Sequence, residues 1–227
     1  VDMSGSNAGT LQSYQDHVQD YIDGTSQTVS GAAGSWIDAA LSGLPTTARL
    51  FELGSAFGRD AAYMAAKGYA VDCSDAVPAF VASLTARGLS ARVFNLLTDE
   101  LTDSYDLVLA NAVLLHFTRD EFLFALKAVC RSLTAGGRFA FSLKRGQGEE
   151  WSSAKLGAPR FFCYWQPEQL EPLLAEAGFS SWTVETAVTQ RAHADWLFVI
   201  AVAPRHIGLT SLQRLKMSYL PGDLSFD

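Results

Sequence analysis

Cysteine is scarce in this sequence: Cys73, Cys130 and Cys163 are the only three in 227 residues. An odd number at wide spacing, each in an apolar or aromatic setting, excludes a disulfide scaffold and suits free buried thiols in a reducing cytosol. Proline is scarce as well, with 7 residues, and only 18% of the chain is charged against 48% hydrophobic. Disordered and collagen-like classes are thereby excluded, and enough apolar side chains are present to bury a core. Basic residues are outnumbered, 17 Lys and Arg to 24 Asp and Glu, for a net charge of −7. Without excess positive charge, nucleic acid is not an expected partner. Long apolar runs are also missing. The longest, Leu107–Leu115, is interrupted by Asn111 and is far shorter than the ~20 residues of a membrane span, despite a mean hydropathy of +0.10. No membrane partner is expected.

What is present is an alternation of short apolar runs and longer amphipathic ones. At roughly 100–200 residues per domain, one core is the default. No charged-then-apolar leader opens the chain. Val1-Asp2 ahead of Met3 reads as a cloning scar and Ser4–Thr10 as frayed, so residues 1–10 are expected to be a tag and a disordered end. Leu11, Tyr14, Val18, Tyr21 and Ile22 share one helical face, and Ala32–Leu41 reads as a second helix; together residues 11–45 form a helical preamble ended by Gly43-Leu44-Pro45.

Strands are expected at Leu50–Leu53, Tyr69–Cys73, Ala91–Phe94, Asp106–Ala110 and Arg138–Leu143. Helices at Asp60–Lys67, Pro78–Arg87, Arg119–Leu133 and Pro167–Ala177 alternate with them, most closed by glycine. Thr183–Val188 and Trp196–Val202 lie too close together for a crossover helix, which predicts an antiparallel edge pair. The expected fold is therefore a doubly wound, mostly parallel sheet over residues 46–204, with a tail at 205–227. Gly146–Gly157 is a polar excursion between strand and helix.

Such sheets place ligands beyond the carboxyl ends of their strands. The first loop, Glu52-Leu53-Gly54-Ser55-Ala56-Phe57-Gly58-Arg59-Asp60, allows close backbone approach to a ligand, although a tight turn asks for the same small residues. A dinucleotide fingerprint wants glycine at positions 54, 56 and 59; Ala56 and Arg59 depart from it. About 20 residues past the glycine turn, an acid grips a ribose diol. Asp75 fits at the strand exit, Asp72 competes from within the strand, and a helix N-cap is the structural alternative for Asp75.

These segments, with Gly68-Tyr69-Ala70-Val71, Tyr105-Asp106-Leu107-Val108-Leu109-Ala110-Asn111, Leu115-His116 and Leu133-Thr134-Ala135-Gly136-Gly137-Arg138, make the chain resemble class I S-adenosylmethionine-dependent methyltransferases over about Leu50–Pro204. The resemblance implies a Rossmann-like, seven-stranded sheet with an antiparallel edge hairpin and N-terminal lid helices. It implies that Gly54, Ser55 and Gly58 wrap the methionine part of S-adenosylmethionine, with Asp75 and Ala76 at the ribose, Asn95 and Leu96 at the adenine, and the carbonyls of Ala110 and Asn111 at the amino group. Glu52 acts indirectly, orienting the loop or a water. Asn95 stands where the family usually has an acid, a mild departure because an amide oxygen also accepts from an amine.

Methyl transfer from a sulfonium needs alignment, plus a base if the nucleophile carries a proton. His116 is the best base candidate among His17, His116, His193 and His206, the alternative being a structural histidine beside Leu115 and Phe117. Tyr14 and Tyr21 suit a lid over the cofactor, or an ordinary core stripe. Trp151–Trp165 offers aromatic area with Lys155 and Arg160, so Tyr21, Arg160, Tyr164 and Trp165 are expected at an aromatic or anionic small-molecule acceptor, or this stretch packs as an insertion on its own scaffold. No carboxylate–histidine constellation supports a metal at the acceptor end. The expected protein is a cytoplasmic, metal-independent O- or N-methyltransferase, monomeric or homodimeric. Alternatives are a methyltransferase acting on protein, peptide or RNA, and a dinucleotide-binding module without methyl transfer.

Overall fold

The structure, a computed structural model, describes residues 5–189 and 194–205. Expectations on residues 1–4, His193, His206 and Leu209–Leu220 lie outside the described residues.

In chain order, helices α1 (Gly5–Asp16), α2 (Val18–Asp23) and α3 (Gly31–Leu41) precede strand β1 (Leu50–Leu53). Then α4 (Arg59–Ala65), β2 (Val71–Asp75), α5 (Pro78–Ala86), β3 (Ala91–Val93) and β4 (Tyr105–Ala110) alternate. A single 3-10 turn at Leu114–His116 leads to α6 (Arg119–Ser132) and the long β5 (Leu133–Lys144). A hairpin of β6 (Glu149–Ser152) and β7 (Arg160–Cys163) follows, then α7 (Pro167–Ala177), β8 (Ser181–Thr189) and β9 (Ala194–Val202).

The seven-stranded sheet runs β3-β2-β1-β4-β5-β9-β8. Strands β1 to β5 pair in parallel, and β9 lies antiparallel between β5 and β8. Strand order reverses between β1 and β4, so their carboxyl ends diverge into a crevice there. Alternation divides the core between the two faces. On one face Phe51, Leu53, Val108, Ala110, Phe139 and Phe141 pack with Phe122 and Leu126 of α6 and Leu170 of α7. Leu50, Leu107, Leu109 and Ala140 point the other way, onto Trp36, Ile37, Ala40 and Leu41 of α3. Local signals agree with these ends. Thr118 caps α6 reciprocally with Glu121, and Gly178 ends α7 at φ 100.

Two segments differ from expectation. The helix expected over Leu11–Ile22 is two helices broken at His17, and α1 begins at Gly5, so Gly5–Thr10 are helical where a disordered end was expected. Asn7, Thr10 and Ser13 are its buried residues. Polar side chains therefore dock α1: Asn95 Nδ2 donates to Asn7 Oδ1 (3.0 Å), Phe161 N to Thr10 Oγ1 (3.0 Å), and Ser13 Oγ to the Pro159 carbonyl (2.6 Å). The second is Gly146–Gly157, which is not a plain loop: Glu149–Ser152 pairs antiparallel with Arg160–Cys163.

Candidate active site

A cavity opens at the carboxyl ends of β1, β2 and β4, beneath α1 and α2. Gly54, at φ 68, makes the sharp exit from β1; a Cβ there would stand 2.4 Å from Val113 Cγ2. Glycine is thus required both by conformation and by close approach. Ala56 and Ala112 are the non-glycine residues with left-handed backbone among those described, at φ 47 and 59. Both line the cavity. Such conformations cost about 1–3 kcal/mol each and persist where surrounding contacts hold them.

Asp75 closes β2 with a buried carboxylate that accepts from Ala56 N and Val77 N, both at 2.9 Å. Burial outweighs these amides and raises its pKa to about 6. Asp72, the competing acid, is exposed. Asn95 and Leu96 line the adjoining wall with Ala76, Phe80 and Phe94. The Asn95 oxygen accepts from Leu97 N at 3.1 Å and keeps a second lone pair.

The floor is a polar network. Asn111 Nδ2 donates to Asp60 Oδ2 (2.7 Å), Ser142 Oγ donates to Asn111 Oδ1 (2.7 Å), and Ala112 N donates to Ser142 Oγ (2.8 Å). Arg59 Nε pairs with the other Asp60 oxygen at 2.7 Å. Glu52 is 2% exposed, and its Oε2 has no hydrogen-bond partner. Burial first, and then Asp60, push its pKa up to about 8, so it keeps its proton at neutral pH.

The roof joins three distant segments. His116 Nδ1 lies 2.6 Å from the Phe161 carbonyl, which can only accept, so this nitrogen carries the proton. Nε2 then accepts from Tyr14 Oη at 2.9 Å, and Tyr14 Oη accepts from Arg160 Nη1 at 3.0 Å. Burial first, with Arg160 and Lys144 acting in the same direction against the Phe161 bond, lowers the His116 pKa to about 3. Tyr21 meets Tyr14 edge-on at 5.3 Å despite the break at His17, and both face Phe80. Burial raises both tyrosine pKa values.

Of the residues expected here, Tyr14, Tyr21, Gly54, Asp75, Ala76, Asn95, Leu96, Asn111 and His116 line the cavity. Six do not. Ser55 ties the loop to β2, its N donating to Ser74 O and its Oγ accepting from Ser74 N. Gly58 packs toward α5, where a Cβ would meet Leu84 at 2.8 Å. Glu52 lies outside the lining, and Arg160 reaches the cavity through Tyr14. Trp165, beyond the end of β7 and bridged to Arg145, is a core residue, 1% exposed, its ring 4.4 Å from that of Phe122 in α6. Tyr164 points outward and donates to Glu150. Asn7, Thr10, Phe80 and Val113 were not anticipated. Phe80 sits on the apolar face of α5, a visible signal; the others have no local one.

Among the described residues, no three His, Cys, Asp or Glu side chains gather in a metal-binding group, and no helix is long and apolar enough to cross a membrane.

This topology, with its crevice at the reversal of strand order, defines a Rossmann-like methyltransferase fold. Residues 51–139 match the sequence profile of a methyltransferase domain. The matched stretch runs from β1 into β5, and over it the chain is similar to methyltransferases. Among solved structures, it is similar to Haemonchus contortus phosphoethanolamine N-methyltransferase 2 bound to phosphomonomethylethanolamine and S-adenosylhomocysteine (TM-score 0.67, 15% identity, 84% of this chain and 58% of that one). The chain thus spans somewhat over half of that enzyme's length. Burkholderia thailandensis 1,6-didemethyltoxoflavin-N1-methyltransferase, with its acceptor and S-adenosylhomocysteine, gives a TM-score of 0.67 at 22% identity, covering 90% of this chain and 92% of the other. The N-methyltransferase NodS from Bradyrhizobium japonicum WM9 gives 0.63 at 17%, covering 87% and 100%. No curated protein sequence matches.

The residues present fit S-adenosylmethionine, the cofactor such methyltransferases use. The buried acid at the end of β2 and the glycine exit from β1 match a diol and a close-approaching chain respectively.

Proposed function

We propose that this protein transfers a methyl group from S-adenosylmethionine to a nitrogen or oxygen of a small molecule, without a metal, in the cytoplasm. The observation that carries the small-molecule reading is the cover. Helices α1 and α2 and the β6–β7 hairpin lie over the carboxyl end of the sheet, joined through Arg160, Tyr14 and His116. A protein or RNA acceptor requires an open approach. Acceptors bound to two similar enzymes, phosphomonomethylethanolamine and 1,6-didemethyltoxoflavin, are small molecules. The three unpaired thiols suit a reducing compartment.

In this reading, Gly54 and Ala56 lie along the methionine part, Asp75 and Ala76 hold the ribose, Asn95 and Leu96 the adenine, and Asn111 the amino group, with Glu52 behind the loop. When bound, the cofactor supplies a methyl on a sulfonium, whose displacement needs the nucleophile in line with the methyl and sulfur. The protein's part is largely alignment and exclusion of water. In this reading His116 acts through Tyr14 rather than as the base: its Nε2 accepts from Tyr14 Oη, and burial holds its pKa down to about 3. Its role is to position Tyr14.

The polar attachment of α1 suits a lid. A net ~0.5–1.5 kcal/mol per hydrogen bond is less than the ~1.5–3 kcal/mol for each buried large apolar side chain, of which α3 has three, Trp36, Ile37 and Leu41. Lifting α1 therefore costs less than lifting α3.

Calorimetric titration with S-adenosylhomocysteine tests the cofactor reading. Micromolar binding is expected, and its absence at high micromolar concentration in folded protein overturns it. Methyl-labelled cofactor offered with small amines and phenols, total protein and RNA then tests the acceptor class; label confined to macromolecules refutes the small-molecule reading.

A further inference from the structure

Arg160 is a buried cation with no acid beside it. It is 5% exposed, and among the described residues it forms no ion pair. Its Nη1 donates to the neutral Tyr14 hydroxyl, and its buried Nε has no partner at all. In place of carboxylates it has rings: its Cζ stands 5.1 Å from the Phe162 centroid and 5.4 Å from that of Tyr14.

Two lysines join it. Lys144 Nζ lies 4.2 Å from the centroid of the same Phe162 ring. Lys155 Nζ lies 4.1 Å from that of Tyr21 and donates to Thr25 Oγ1 at 2.7 Å. Both lysine pKa values are lowered, first by withdrawal from water and then by Arg160, that of Lys155 to about 8. Glu150 offsets part of the charge on Lys144, and the acids nearby are otherwise engaged. Glu150 accepts from Tyr164, and Asp60 holds Arg59 and Asn111. Three mutually repelling cations gathered beside the cavity are compensated when an anion joins them, and a guanidinium with unused nitrogens is suited to a planar or tetrahedral oxyanion.

We propose that Arg160, Lys144 and Lys155 form a binding site for an oxyanion carried by the methyl acceptor, a carboxylate or a phosphate monoester. The inference rests on the small-molecule reading above and narrows its substrate class. Because Arg160 donates to Tyr14, which lines the cavity, an anion held by Arg160 fixes the acceptor's remote end while its nucleophile faces the cofactor end. Arg160 and the lysines are binding residues and take no part in bond making.

The test uses the full chain saturated with S-adenosylhomocysteine, whose own binding is measured separately. Inorganic phosphate and benzoate are titrated at constant ionic strength against chloride, with thermal unfolding and calorimetry as readouts. Saturable binding of one or both is expected, weakened at least tenfold in Arg160→Gln and in Lys155→Met. The second variant changes a side chain at the surface, only part of which is withdrawn from water, and remains informative if the first fails to fold. Phosphate binding alone assigns a phosphate monoester, and benzoate binding alone a carboxylate. Protein that binds the cofactor product but neither oxyanion overturns the inference and leaves the cofactor reading standing. Oxyanion binding unchanged in the variants overturns it equally.

Discussion

Tyr14 and His116, 102 residues apart, share a hydrogen bond of 2.9 Å between Oη and Nε2. Its direction follows from the other ring nitrogen, which donates to the Phe161 carbonyl. The bond connects α1 to the turn after β4, while Phe161 and Arg160 bring in β7. One hydroxyl therefore joins the cavity wall, α1 and the hairpin.

Tyr14→Phe removes that hydroxyl and leaves His116 Nε2 without its partner. An unsatisfied buried group costs about 1–3 kcal/mol. A lowering of the melting temperature by about 2–4 °C per kcal/mol is expected for a chain of this size, with weaker S-adenosylhomocysteine binding. An unchanged melting temperature and affinity would show that this contact does not hold the lid.

Stability should depend on pH in two opposing ways. His116 has a folded pKa of about 3 against an ordinary 6.5, so between these values the unfolded chain binds a proton that the fold does not. Its contribution is complete above pH 6.5 and is lost as pH falls toward 3. Glu52 runs oppositely: raised from 4.5 to about 8, it stabilises fully below pH 4.5, and the contribution is lost as pH rises to 8. Each effect is on the order of a few kcal/mol. Glu52→Gln is therefore expected to gain stability over the parent at pH 8 and little at pH 4.5, by chemical denaturation at both. Equal gains at the two pH values contradict a raised Glu52 pKa.

Asp75→Ala removes the acceptor of two loop amides as well as the proposed ribose contact. S-adenosylhomocysteine affinity is expected to fall at least tenfold, about 1.4 kcal/mol. Calorimetry on the folded variant decides; retained affinity moves the ribose elsewhere.

Gly54→Ala places a methyl 2.4 Å from Val113 Cγ2 at a φ of 68. Destabilisation by more than about 1 kcal/mol is expected. Val113→Ala in the same chain should recover part of it by removing the contact and leave the backbone strain. Additive losses in thermal unfolding would show that the two side chains do not meet.

Most of the sheet was legible because each strand has its own local signal. Leu50–Leu53 and Asp106–Ala110 are short continuous apolar runs, as strands buried on both faces require. The close spacing of the last two strands predicted their antiparallel pairing, and the position of Asp75 followed from counting along β2. Trp165 shows the limit. Aromatic composition placed it at an acceptor wall, whereas in the fold its ring packs into the core against Phe122.

By itself, then, the sequence determined the alternating sheet, its glycine exit from β1 and the acid ending β2, because apolar periodicity and turn chemistry act between neighbours in the chain. Only the tertiary structure decided that Gly5–Thr10 belongs to a helix, that Gly146–Gly157 opens a hairpin, and that Arg160, Tyr14 and His116 meet. Asn7, Thr10 and Ser13 bind their partners by hydrogen bonds across 88, 151 and 146 residues. A polar side chain held by so distant a partner reads along the chain like one that faces water, and folding alone distinguishes the two.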